Sequence, residues 1–156
     1  MTPEAIKEII QASGGQIVGK TRLQKTAYLL EAAGIGYGFE FNYHYYGPYS
    51  EDLATAAHDA QALGLIVTNP EASSTLTYRL SEEIGRPTSD PTYTKRQAFL
   101  AKLKNYDTTA LELAATADFL AKNGFKDDPW SETKRRKSIK ASEERIAQAK
   151  RLLTNI

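Results

Sequence analysis

The segment Phe39–Tyr45 constrains the fold more than any other, because large aromatic side chains alternate there with polar ones. Phe39, Phe41, Tyr43 and Tyr45 occupy every second position. A period of two is typical of a strand that is buried on one face. Gly47-Pro48 follows at once, and this pair is expected to break the strand.

Helices are predicted on both sides of this strand from capping residues and from apolar side chains at helical spacing. The predicted helices begin at Thr2-Pro3, at about Thr21 and after Ser50, and they end at Gly14-Gly15, Gly34 and Gly64. Residues 65–68 and 75–80 flank a turn-rich segment and predict a hairpin. This order of helix, helix, strand, helix and hairpin predicts an α+β fold with a winged-helix-like binding module over residues 1–83.

A mainly helical portion is predicted over residues 84–156 and is expected to pack on this module. Residues 84–91 contain two prolines and predict a connector, which helices over 93–104, 108–123 and 129–153 follow. Asp107 is the predicted N-cap of the second of these helices, and Trp130 is the predicted packing anchor of the third. Ile139, Ile146 and Leu153 recur every seven residues, a spacing that suits packing on another helix. The sequence leaves the oligomeric state open and allows a homodimer through this last helix.

Composition indicates a globular chain with one hydrophobic core. Its 156 residues are 41% hydrophobic and 25% charged, close to the average for folded domains. The absence of cysteine excludes disulfides and Cys-ligated zinc. The apolar runs are too short for a membrane span, and the N-terminus does not resemble a signal peptide, so a cytoplasmic protein without membrane contact is expected.

Residues 14–21 match the phosphate-loop pattern G-x-x-x-x-G-K-T letter for letter. A true phosphate loop follows a buried parallel strand, whereas the preceding residues 3–13 predict an amphipathic helix. Nucleotide binding is therefore the least favoured function. His44 and His58 have no metal-ligand or catalytic spacing, and no nucleophile motif is present, so neither a cofactor nor an enzymatic activity is expected.

Several motifs together carry a resemblance to a known family. In chain order they are residues 19–25 (GKTRLQK), Tyr28-Leu29-Leu30, Phe39-Glu40-Phe41, residues 45–50 (YYGPYS) and Leu63-Gly64-Leu65-Ile66. This series resembles the Panacea domain family of SocA-like antitoxin domains and the related YwgA-like bacterial proteins, over about residues 4–82. The resemblance implies a protein that neutralises a cognate toxin by direct contact, or a phage-associated adaptor that recruits a partner protein. Residues 84–156 carry no such recognisable resemblance, and we hypothesise that they determine the choice of partner.

The residues themselves also favour a binding role. Tyrosine offers a large contact area with a polar tip and few rotatable bonds, and four tyrosines crowd the strand end and turn. The predicted partner-binding residues are Arg22, Lys25, Tyr43, Tyr45, Tyr46 and Tyr49. Alternate tyrosines could instead fill the core, and Arg22, Gln24 and Lys25 could tie their helix to the turn by hydrogen bonds. For Gln24 the structural role is favoured.

A nucleic-acid-binding regulator is the alternative function. The helix before the predicted hairpin carries Glu51, Asp52 and Asp59 but no Lys or Arg, which disfavours the usual winged-helix contact with DNA. Residues 1–83 have a net charge of −5, whereas residues 84–156 have a net charge of +6. The possible phosphate-contacting residues are Lys134, Arg135, Arg136, Lys137 and Lys140. Such a run is more often a solvated helix face.

Overall fold

The computed structural model describes residues 2–45, 47–69, 76–81 and 90–156, which form seven helices and five short strands. The α+β class is therefore confirmed. The elements are α1 (Thr2–Ala12), β1 (Gln16–Val18), α2 (Lys20–Ala32), β2 (Asn42–His44), β3 (Gly47–Tyr49), α3 (Glu51–Ala62), β4 (Ile66–Thr68), β5 (Thr77–Leu80), α4 (Pro91–Leu103), α5 (Thr108–Lys122), α6 (Pro129–Arg136) and α7 (Glu143–Thr154). Most of the predicted connector lies outside the described residues. None of the described helices has both the length and the apolar character needed to cross a bilayer.

The predicted hairpin is confirmed as β4 and β5, which pair antiparallel with Val67 opposite Arg79. Strand β1, which the sequence did not predict, pairs antiparallel with the other edge of β5. The resulting three-stranded sheet has the order β1-β5-β4. The more specific winged-helix assignment stays a prediction.

The aromatic segment forms a shorter strand than predicted, since β2 covers only residues 42–44. The backbone before it is held by a side chain instead of a partner strand. One carboxylate oxygen of Glu31 accepts hydrogen bonds from the N–H groups of Tyr37 (2.7 Å), Gly38 (2.7 Å) and Phe39 (3.2 Å). The aromatic strand ends before Gly47-Pro48, as predicted, but these two residues also begin β3, which the sequence did not predict and which pairs with β2 in a second, two-stranded sheet.

Helix α5 lies at the centre of the molecule and packs on α2, α6 and α7. Leu111, Leu113 and Ala114 are fully buried there, in one hydrophobic core that also contains Ile6 and Leu29 from the first half of the chain. The predicted N-caps are confirmed, since the side chain of Ser50 accepts a hydrogen bond from Leu53 N and that of Asp107 from Ala110 N. The division at residue 83 stays a prediction.

The single helix predicted over 129–153 was wrong. The chain forms α6 and α7, and the side chain of Ser142 caps α7 by accepting a hydrogen bond from Arg145 N. Ile139 lies between the two helices and is 96% exposed, whereas Ile146 and Leu153 pack against the core. The three residues of the seven-residue repeat therefore do not form one helix face. Trp130 packs against the core, as expected of an anchor.

Candidate functional site

The turn between β2 and β3 projects Tyr45 into solvent, where its side chain is 95% exposed. His44 pairs with Gly47 across the two strands, so the turn is tight. Gly47 has a φ of +90°, which disfavours any residue with a side chain. A Cβ atom at this position would also collide with the hydroxyl of Thr116 on α5.

Helix α2 anchors one side of this turn through two buried side chains. The Gln24 side-chain amide donates to Ser50 O (3.0 Å) and accepts from Ser50 N (2.8 Å), which confirms its predicted structural role. The Lys25 ammonium group donates to Pro48 O at 2.6 Å, and Lys25 is only 1% exposed. Burial lowers the pKa of Lys25 to about 8, although the nearby Glu112 carboxylate opposes this effect.

The other side of the turn is anchored from the end of α6. The ammonium group of Lys137 donates to Tyr45 O (2.9 Å) and to one carboxylate oxygen of Glu112 (2.8 Å). Lys140 donates to the other carboxylate oxygen of Glu112 at 2.9 Å. Glu112, on α5, is only 2% exposed. Lys137 thus fixes the backbone at Tyr45, and Glu112 holds Lys137 in place.

The exposed surface beside the turn contains both aromatic and cationic side chains. Tyr43, His44 and Tyr45 face Arg135 and Arg136 of α6 across an open depression of about 650 Å³. These five residues are named the Tyr45 surface. The Arg136 guanidinium group lies 4.9 Å from the centroid of the Tyr43 ring and 5.3 Å from that of Phe125, distances typical of cation–π contacts. Tyr43 also packs on Phe119 of α5, with a centroid distance of 6.0 Å.

Glu132 orients the two arginines of the Tyr45 surface. It pairs with Arg135, and it accepts a hydrogen bond from Arg136 Nε at 2.6 Å. Hydrogen bonds from Arg135 and then Arg136 lower the pKa of Glu132 to about 2, so this carboxyl stays ionised at neutral pH. One carboxylate faces two guanidinium groups, which leaves the pair of arginines with a net positive charge.

The structure brings together only some of the predicted partner-binding residues. Tyr43 and Tyr45 lie on the Tyr45 surface, whereas buried Lys25 supports it from below. Tyr49 lies beside His44, with a ring centroid distance of 4.8 Å, and lines a neighbouring groove. Arg22 lies elsewhere, and Tyr46 is outside the described residues.

The predicted basic run is divided among different environments. Lys134 lies with Trp130 on another part of the surface, Arg135 and Arg136 face the tyrosines, and Lys137 is buried on Glu112. Lys140 also pairs with Glu112. A continuous strip of five cations is therefore not available to a phosphate backbone.

The segment that matches the phosphate-loop pattern has a different geometry from a nucleotide cradle. Helix α1 precedes it, and β1 within it is an edge strand. Every strand pair among the described residues is antiparallel. The parallel strand that normally leads into a phosphate loop is thus replaced by a helix.

Sequence reasoning missed Glu112, Glu132, Phe125 and Thr116. Glu112 carried a usable signal, because it is one carboxylate within the otherwise apolar run Leu111–Ala115. An acid on a buried helix face requires a buried cation. The cations that pair with Glu112 are Lys137 and Lys140, which lie 25 and 28 residues further along the chain.

Comparison with known proteins gives one partial relative. The chain is 31% identical over 55 residues to the uncharacterized protein YwgA of Bacillus subtilis (strain 168). The aligned segment covers 35% of this chain and 33% of that protein. No family model matches the chain.

Proposed function

We propose that this chain is a protein-binding module, an antitoxin-like protein or phage-associated adaptor that neutralises or recruits its partner through the Tyr45 surface. The observation that carries the proposal is the combination of a fully exposed Tyr45 with a backbone fixed by buried side chains. The resemblance to SocA-like antitoxin domains supports the antitoxin role. The partial similarity to YwgA does not assign an activity to this chain, since YwgA is itself uncharacterized.

A fixed turn favours binding because less conformational freedom is lost when the partner docks. Ordering a mobile loop would cost roughly 1–2 kcal/mol per residue of backbone entropy, a cost that preorganisation avoids. Tyrosine and arginine are also the residue types most enriched at the energetic centres of interfaces. Here Tyr45 and Arg135 are exposed, with Arg135 71% exposed at its side chain, while Tyr43 and Arg136 form the packed base.

The direct test is co-expression with the protein encoded next to this chain. If that neighbour stops growth when expressed alone, the chain is expected to restore growth, and Tyr45→Ala is expected to lose the rescue. The purified Y45A variant is expected to bind the neighbour at least about 30-fold more weakly, as for a hot-spot residue worth about 2 kcal/mol. Leu63→Ala is the matched control, because Leu63 is also large and exposed but lies at the end of α3. A Y45A variant that binds and rescues like wild type would refute the assignment of the surface.

Nucleic-acid binding is the competing outcome. Helix α3 keeps its acidic residues Glu51, Asp52 and Asp59, of which the first two lie in its first turn, so this helix would repel phosphates. Arg135 and Arg136 are already paired with Glu132. If the neighbour is harmless and the purified chain shifts its own promoter DNA with a steep salt dependence, the regulator function replaces the proposal.

A further inference from the structure

Among the described strands, none pairs with one edge of β1. Strand β1 is the outer strand of the β1-β5-β4 sheet. Gly19 N donates to Leu76 O (2.7 Å), and Leu80 N donates to Gly15 O (3.3 Å), so Gly15 and Gly19 bond to the β5 side. Because bonding alternates along an antiparallel strand, Ile17 shares their orientation. The N–H and C=O groups of Gln16 and Val18 therefore point to the open edge.

A groove of about 570 Å³ runs along this edge, between β1, α2 and the α4–α5 turn. It is named the β1 groove. Leu100 and Leu103 of α4 are buried and supply an apolar wall, while Arg22 and Lys104 supply two cations. Among the described residues that line it, none is Asp or Glu.

Among the described residues, no carboxylate forms an ion pair with Arg22. Its guanidinium group donates to two neutral acceptors, Leu103 O (2.9 Å) and Thr108 Oγ1 (3.2 Å). The nearby Asp107 carboxylate is already the N-cap of α5. Burial lowers the pKa of Arg22, with Asp107 opposing, which reflects a cation that is partly removed from water without an ion pair. Such a group favours an incoming carboxylate, which it can bind through the guanidinium N–H donors that remain.

We propose that the β1 groove binds an extended peptide segment of a partner protein, which adds as a strand to β1 and places an acidic side chain against Arg22 and Lys104. Free backbone groups on an edge strand supply the affinity of such strand addition, and side-chain pockets supply its specificity. The apolar wall accommodates the side chain two residues from the acid, which points to the same face of the added strand. The site is independent of the proposed function, since none of its lining residues belongs to the Tyr45 surface.

The test is selection of a phage-displayed random heptapeptide library on the full chain. Acidic peptides with β-branched residues are expected to be enriched. The tightest synthetic peptide is expected to bind Lys104→Glu at least roughly tenfold more weakly, the loss expected for a charge-assisted hydrogen bond. Lys102→Glu is the matched control, because Lys102 is also exposed on α4 but does not line the β1 groove. Arg22→Gln is a second variant, with its thermal melt recorded because Arg22 also ties α2 to Leu103 O.

Amide chemical shifts of the ¹⁵N-labelled chain locate the bound peptide. Shifts centred on Gln16 and Val18, abolished by N-methylation of alternate peptide bonds, would support strand addition. Absence of acidic enrichment, equal binding to K104E and K102E, or shifts centred on Tyr45 would overturn it. Shifts centred on Tyr45 would overturn strand addition at β1 but not the proposed function. Conversely, a Y45A variant that binds its partner like wild type would refute the role of the Tyr45 surface but not that of the β1 groove.

Discussion

Glu112→Gln is expected to be among the most destabilising single substitutions in this chain. The variant keeps the size of the side chain but removes the negative charge that lies 2.8 Å from Lys137 and 2.9 Å from Lys140. Lys137 has only 6% of its side chain exposed, so its ammonium charge would stay buried after losing the Glu112 carboxylate. The amide oxygen can still accept a hydrogen bond from one lysine, but the amide NH2 group would face the other lysine and the neutral amide cannot offset a buried ammonium charge.

The magnitude follows from the burial of the Lys137–Glu112 pair. Removing one member of a buried ion pair costs about 3–5 kcal/mol, because the other charge is left uncompensated. The contribution of Lys140 is smaller, about 0–1 kcal/mol, since its side chain is 39% exposed and is screened by water. In a domain of this size, the loss of about 3–5 kcal/mol from the Lys137–Glu112 pair corresponds to a fall in Tm of roughly 6–20 °C.

Urea denaturation measures this loss as a lower midpoint at an unchanged m value. Glu40→Gln is the control, because Glu40 is exposed and the same chemical change there should alter the free energy of unfolding by less than about 0.5 kcal/mol. The double variant E112Q/K137M is expected to be more stable than E112Q alone, since it no longer buries the ammonium charge that has lost the Glu112 carboxylate. An E112Q variant within about 1 kcal/mol of wild type, or a double variant with additive losses, would refute the reasoning.

Two further substitutions test the turn beneath Tyr45. Burial lowers the pKa of Lys25 from 10.5 to about 8. Between these two pH values the unfolded chain therefore binds more protons than the folded chain. The stability of wild type relative to Lys25→Met should rise with pH across this window, by up to about 1.4 kcal/mol per pH unit. Urea titrations of both proteins at a series of pH values check this, and a constant difference above pH 8 would contradict it. Gly47→Ala should be more destabilising than Gly38→Ala in thermal melts, because both glycines have positive φ values but only at Gly47 would a Cβ atom collide with Thr116. Equal melting temperatures for the two variants would show that Thr116 can move away from the new Cβ atom at no cost in stability.

Features of the fold that depend on local chemistry were predictable from the sequence. Ser50 and Asp107 were assigned as N-caps because a short polar side chain before a helical stripe satisfies free N–H groups of the first turn. Strand β1 was not predictable in this way, because three residues carry no periodicity and the partner strand β5 begins at Thr77. The break after α6 had one local signal, Ser142 before two glutamates, but no Gly or Pro marks it.

The candidate surface was predicted in two unconnected parts. The tyrosines suggested a protein partner and the basic run suggested phosphates, because a sequence does not indicate which helix face lies against which strand. Glu112 joins the two parts, since it holds Lys137, and Lys137 in turn holds the carbonyl of Tyr45. That relation depends on the packing of α6 against α5, which is a tertiary property.

The exposure of Tyr45 and the burial of Lys25 follow from the same arrangement of the turn. The carbonyl groups of Tyr45 and Pro48 accept hydrogen bonds from buried ammonium groups. The bond to Pro48 O is buried, and a carbonyl removed from water requires a donor. An apolar residue in place of Lys25 could fill the same volume, but it would leave the buried Pro48 oxygen unsatisfied, at a cost of about 1–3 kcal/mol. Lysine provides the donor at the end of a long apolar stem, and Glu112 compensates part of the charge that this introduces. These contacts hold the backbone from inside while the Tyr45 residue stays 95% exposed, and this combination is the basis of the partner contact proposed above.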